Sequence, residues 1–457
     1  MRQFVLIGFA LSLPGAARAA VLVAQAQSLA RLTARVDSAA RDAITKKASP
    51  SFSIAISRNG RTVYAKAFGS ADLEQSVPAR PETVYLIGSI TKQFTSAAIL
   101  GLVEDGKLSL DDILGKFFPD WPLAGRGVTV RQLLNHTSGI KDYTGVRRWL
   151  GLMALPLPHD SMVALFRDEP MDFPPGTEWR YDNSGYYLLG VIIEKVTGES
   201  YAKYLDHRIF GPLGLHSTRY CTSRSVVANR TPGYSSTPTG FENAAPINVN
   251  QAYAAGAICS TAGELLVWAR ALQSGKVIKP ASYQMMTTPI PLPGGKPQSY
   301  GFGLGVGTFS GHRVISHNGG INGFNAQLAN YPDDSLIVAV LANVESGEAD
   351  KLERKVSRWA LGVPDEVIKD LPVSAAEAAR LIGKYAQGET SIEIRMDGGH
   401  LVLAGLGGPT RLMHQGGGTF RLASNPDLQV SFPGSGAKAD QLLVVAPAGS
   451  LTLTRVP

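Results

Sequence analysis

Tyr85-Leu86-Ile87-Gly88-Ser89-Ile90-Thr91-Lys92-Gln93-Phe94 places a serine and a lysine three residues apart at the head of an apolar stretch. From Ser89 to Glu104, apolar side chains recur at Ile90, Phe94, Ala97, Ala98, Ile99, Leu102 and Val103, which predicts a helix packed over most of its surface. Positions three apart share a helix face, so Ser89 Oγ and Lys92 Nζ can meet. The partly positive helix N-terminus and burial both disfavour a second positive charge and push the lysine towards its neutral form. A neutral amine can take the serine proton, and the Ser89 N–H, unpaired in a first helical turn, is a donor for an oxyanion. The stretch therefore holds a candidate nucleophile, base and half of an oxyanion hole.

Ser-x-x-Lys arises by chance on the order of once in a chain of this length, so its surroundings must decide. Another copy, Ser138-Gly139-Ile140-Lys141, has glycine directly after the serine, which argues for a loop rather than a helix start. We give it no chemical role.

Two further segments carry candidate chemistry. Trp179-Arg180-Tyr181-Asp182-Asn183-Ser184 contains Tyr-x-Asn. A tyrosine near positive groups can be drawn towards phenolate and shuttle a proton to a leaving group, and Asn183 can orient Lys92 and bond a substrate amide. Val314-Ile315-Ser316-His317-Asn318-Gly319-Gly320 reads as a strand running into glycines. Glycine admits close backbone approach, so an N–H here is a candidate second oxyanion donor, with His317 bonding Tyr181 or the leaving group. The copy at His414-Gln415-Gly416 falls in a separate β-rich region and is set aside.

In chain order, Ser-x-x-Lys, Tyr-x-Asn and His-x-Gly resemble the three active-site elements of the serine β-lactamase and penicillin-binding-protein-like hydrolase superfamily. The branch that the chain resembles holds class C β-lactamases, D-aminopeptidases and related esterases. Leu133-Leu134-Asn135-His136-Thr137-Ser138-Gly139, Phe173-Pro174-Pro175-Gly176 and Ile258-Cys259-Ser260-Thr261-Ala262-Gly263-Glu264-Leu265 are similar to stretches common there. The resemblance implies that Ser89 is acylated, that Lys92 and Tyr181 share acid and base work, that Asn183 positions, and that the N–H groups of Ser89 and Gly320 bind the oxyanion. His317, Asn318 and Gly319 stand where many relatives carry Lys-Thr-Gly, and histidine there is similar to the D-aminopeptidase and esterase-like members. The function implied is an exported serine hydrolase acting on amide, peptide (D-residue included) or ester bonds. The alternatives are a class C-type β-lactamase or D-Ala-D-Ala carboxypeptidase, and an acylated binding or sensor protein without turnover. Intact Ser89, Lys92 and Tyr181 weigh against the last.

The 457 residues exceed one ordinary core. Met1-Arg2, the apolar run Phe4 to Leu13 and the small-residue site Ala17-Arg18-Ala19 read as a signal peptide over 1–19, giving an exported, periplasmic or secreted protein. No later stretch is long and apolar enough to span a membrane. The formal charge of +7 falls to +5 without Arg2 and Arg18 and contains no run of five like charges, so no nucleic-acid partner is expected. Cys221 and Cys259 lack metal-site spacing. They are compatible with one bridge or with two unpaired core residues. No metal or cofactor is expected, and we find no Gly-x-Ser-x-Gly elbow, His-Glu-x-x-His, P-loop or dinucleotide fingerprint. The expected partner is a small-molecule or short-peptide substrate.

The fold expected is α/β. Alternating runs at 52–56 and 61–68, joined through Asn59-Gly60, and late strands at 301–306, 312–316, 323–331 and 336–343 predict one antiparallel sheet built from both ends of a 28–362 domain. Helices flank it and dominate an insert over 113–215, and 220–254 reads as loop. After a linker at 363–373, residues 374–457 read as a small β-rich domain opened by a short helix from Ser374 to Tyr385.

Overall fold

The computed structural model describes residues 15–456 apart from 366, 388–389, 406–407, 424–427 and 447–448. Most of the proposed signal peptide lies outside the described residues, and a helix runs from Gly15 to Thr45. The chain divides into two compact units between Val363 and Pro364.

The first unit is organised on a seven-stranded antiparallel sheet. In spatial order its strands are Val77–Pro78, Arg61–Asp72, Ser51–Arg58, Leu336–Ala342, Phe324–Tyr331, His312–Ile321 and Gly305–Phe309. The early hairpin and the late strands join where Phe52 pairs with Ala342 and Arg58 with Leu336. Asn59 and Gly60 both have positive φ, the two-residue turn that matches strand twist. Leu336–Ala342 is buried throughout because both faces are covered. Ile337, Ala339 and Leu341 enter the core shared with the Thr91–Glu104 and Ala262–Gln273 helices, while Leu336, Val338 and Val340 enter the core beneath the Glu348–Ala360 helix.

The insert is helical as expected. Its longest helix, Asn183–Thr197, is capped by the Asp182 carboxylate and ends on Gly198 in the left-handed region. The 220–254 segment is more regular than composition suggests. It contains a hairpin of Tyr234–Thr237 with Gly240–Asn243, and the short helix Tyr253–Gly256.

Cys221 and Cys259 form a disulfide, with Cα atoms 5.7 Å apart. It ties the Arg219–Tyr220 strand to Ile258–Ser260, which in turn pairs with Tyr85–Leu86 just before the nucleophile. Closing a loop between residues 38 apart in sequence should contribute about 2–4 kcal/mol. Cys259→Ser, or reduction, is expected to lower the urea unfolding midpoint; equal midpoints for oxidised and reduced protein would refute this.

The second unit is a closed eight-stranded barrel in sequence order, sealed where Gly383–Gln387 pairs with Gly449–Val456. Tyr385, Phe420, Leu442 and Leu453 fill it. Its opening helix spans Ala375–Leu381, capped by Ser374, and stops before Tyr385 because the chain there is already in the closing strand.

Candidate active site

Ser89 lies in a single 3-10 turn, Gly88–Ile90, that precedes the Thr91–Glu104 helix rather than within its first turn. Gly88 has φ +50°, and a Cβ there would sit 2.8 Å from Gly320 N. A Cβ on Gly319 would sit 1.9 Å from the Ile87 carbonyl oxygen. Glycine at these positions lets the His312–Ile321 strand lie directly against the Ser89 turn.

Lys92 is completely buried and makes three polar contacts. Its Nζ lies 3.1 Å from Ser89 Oγ, 2.9 Å from Asn183 Oδ1 and 2.9 Å from the Ala255 carbonyl oxygen. The last two atoms can only accept. A neutral amine has two N–H donors and one lone pair, so giving both donors to Asn183 and Ala255 aims the lone pair at Ser89. Burial lowers Lys92 to about 7, against opposing pulls from Asp142 and Asp182. The amine is thus substantially neutral at neutral pH and oriented to accept the serine proton.

Tyr181 packs its ring 4.7 Å from Lys92 Nζ. Its hydroxyl is buried beside Ser89 without a well-formed hydrogen bond. Burial raises its pKa, with Ser89 pulling the other way and the Asp142 and Asp182 charges adding to the rise. Tyr181 therefore rests as a neutral phenol, not the phenolate that nearby cations alone would favour. The next residue explains its placement: Asp182 is buried, accepts from Gly185 N–H at 3.0 Å and from Ser138 Oγ at 3.2 Å, and donates its own N–H to His136 Nδ1 at 3.1 Å.

His317 bonds Tyr300, not Tyr181. Its Nδ1 is 2.5 Å from the Asn318 carbonyl oxygen, which can only accept, so Nδ1 carries the proton and Nε2 accepts from Tyr300 O–H at 2.7 Å. Burial, with the Lys92 charge adding to it and the Asn318 carbonyl opposing, lowers His317 to about 4. The ring is neutral. Asn318 exposes its side chain, while Gly319 is buried against Ile87.

The sequence reading missed Tyr300, His136 and Asp142. The His136 ring lies between Tyr181 at 4.4 Å and Tyr300 at 4.7 Å, and its position in Asn135-His136-Thr137-Ser138-Gly139 was the available signal. Asp142 Oδ2 accepts from Asn183 Nδ2 at 3.1 Å. Ser138 and Lys141 diverge, since Lys141 bonds Asp172 at 3.0 Å, so that Ser-x-x-Lys is not a second site. Among the described residues, no cluster of His, Cys, Asp and Glu is arranged to hold a metal ion.

A D-aminopeptidase of Brucella melitensis is 29% identical over 371 residues, covering 79% of this chain and 69% of that protein. The octameric penicillin-binding protein homologue of Pyrococcus abyssi superimposes with a TM-score of 0.68 at 28% identity, over 92% of this chain and 99% of its own. A D-stereospecific amidohydrolase of Streptomyces sp. gives 0.61 at 29% identity, over 70% and 98%. Residues 36–362 match the family model described as Beta-lactamase. With the three motifs drawn together inside that span, the chain belongs to the Beta-lactamase family and is a serine hydrolase.

Proposed function

We propose that the protein hydrolyses amide or peptide bonds of D-residue substrates, or small esters, through an acyl-enzyme on Ser89, and that it acts after export. The observation that carries the reading is the Lys92 amine, whose two obligate acceptors leave a lone pair for Ser89 Oγ. Lys92 takes the Ser89 proton as Oγ attacks the substrate carbonyl. The N–H groups of Ser89 and Gly320 stabilise the oxyanion. Tyr181, a neutral phenol beside Ser89, delivers a proton to the departing amine or alkoxide and is replenished from protonated Lys92. Water then attacks the ester by the reverse relay. The D-aminopeptidase relative and the D-stereospecific amidohydrolase neighbour support the choice of substrate. The disulfide is compatible with export.

A panel of D- and L-aminoacyl amides, short-chain p-nitrophenyl esters and a chromogenic cephalosporin tests the reading. D-amide or ester turnover is expected, and a panel without any turnover would refute it. The pH dependence follows from Lys92. Only the neutral amine works as the base, so kcat/KM should rise with pH through an acid limb near about 7 and then level off. A flat profile between pH 5 and 9, with the acylation step limiting, would remove Lys92 from that role.

A further inference from the structure

Lys92 is held from two sides, and one of them ends on a charge. Asn183 accepts from Lys92 through Oδ1 at 2.9 Å and donates through Nδ2 to Asp142 Oδ2 at 3.1 Å. An amide that donates to a carboxylate cannot flip without presenting Nδ2 to Lys92 and Oδ1 to Asp142, two mismatched contacts. Asp142 is itself fixed, because its Oδ1 accepts from Thr144 N–H at 3.0 Å and caps the short Tyr143–Gly145 turn. We infer that Asp142 is a positioning residue: through Asn183 it locks the Lys92 amine on Ser89 and supplies the negative charge that this amine faces. The inference rests on the proposed role of Lys92 as base.

The groups around Lys92 single out Asp142. From its own helix and the turn before it comes Ser89. From the Tyr181–Asp182 segment and the helix that follows come the Tyr181 ring, the Asp182 carboxyl and the Tyr186 ring at 5.4 Å. His136 and His317 also feel its charge. Both histidines are held neutral by burial. Asp182 is pushed up to about 8 by burial, with the Asp142 charge adding to it, so its own charge is the less available of the two at neutral pH. Asp142 is the stronger of the two carboxyl pulls on Lys92, and the one joined to it through Asn183.

Asp142→Asn is the test, because asparagine is nearly isosteric, still caps the turn and can still accept from Asn183 while lacking the charge. The readout is the pH dependence of fluorophosphonate labelling, which needs no known substrate. Without the charge the amine loses its proton more easily, so the acid limb should move by on the order of one unit to lower pH. The plateau should fall, since a less basic amine takes the serine proton less readily. Asp142→Glu, which restores the charge, should return the limb to the wild-type position. An unmoved limb in Asp142→Asn, or equal movement in both variants, would overturn the inference. Failure of the wild-type protein to label at Ser89 would instead overturn the hydrolase reading beneath it.

Discussion

Ser89→Ala should abolish labelling by a fluorophosphonate and reduce turnover on every accepted substrate by on the order of 10³-fold or more, because it removes the oxygen proposed to form the covalent intermediate. The same variant should retain its fold. Ser89 is only part-buried, and its Oγ makes one hydrogen bond, with Lys92 Nζ at 3.1 Å. Ser138→Ala is the control. Ser138 is buried and bonds Asp182 Oδ2, so its loss should cost about 1 kcal/mol of stability while labelling stays within a few-fold of wild type. Equal labelling of wild type and Ser89→Ala would remove the nucleophile from this reading. Loss of labelling in Ser138→Ala with an unchanged melt would restore the competing copy as a candidate.

The difference between these two serines was legible in the sequence because it is local. Glycine after Ser138 sets a left-handed turn at Gly139, whereas no glycine or proline follows Ser89 until Gly101. The sheet was legible for a similar reason: Asn59-Gly60 favours a hairpin, and the short apolar, β-branched run Leu336–Ala342 follows the turn residues Pro332-Asp333-Asp334. Boundaries were less so. The strand expected at 301–306 begins at Gly305, because Gly303 at φ +71° packs against the Lys92 backbone and belongs to a turn.

Two strands of the barrel, Gly383–Gln387 and Thr410–Gly416, were missed. The first follows a capped helix so closely that its apolar residues read as more helix. The second buries only Thr410 and Leu412 and leaves the rest half-buried, so little alternation shows. Tyr300, His136 and Asp142 lay beyond sequence reasoning for another reason: each acts through a partner far along the chain, as Tyr300 does on His317 and Asp142 on Asn183. A lone tyrosine between Ser299 and Gly301 has no local pattern to announce it. The phenolate expected of Tyr181 failed because burial outweighs the attraction of a neighbouring amine that is itself often neutral.

Selectivity against carboxylate-bearing substrates should be the second large effect: small esters and D-residue amides are expected to turn over better than β-lactams by on the order of 10–100-fold. His317-Asn318-Gly319 stands where many members of the resembled superfamily carry Lys-Thr-Gly. A β-lactam or a C-terminal D-peptide brings a carboxylate that a lysine ammonium and a threonine hydroxyl can bind, and a charge-assisted hydrogen bond contributes roughly 1.5–3 kcal/mol. Histidine could replace it only as a cation with a free N–H. His317 is neither, since burial lowers it to about 4, its proton sits on Nδ1 against the Asn318 carbonyl, and Nε2 is filled by Tyr300. Protonation at Nε2 would also have to displace the Tyr300 hydroxyl as donor. Asn318 offers only a neutral amide. Substrates without a carboxylate lose nothing by the exchange, so the penalty falls on one class. His317→Lys should narrow the gap by improving β-lactam acylation more than ester turnover, measured as the ratio of the two kcat/KM values. A wild-type protein that turns over a cephalosporin tenfold faster than esters and D-amides would show that another cation reaches the carboxylate, and the neutral His317 would no longer account for specificity.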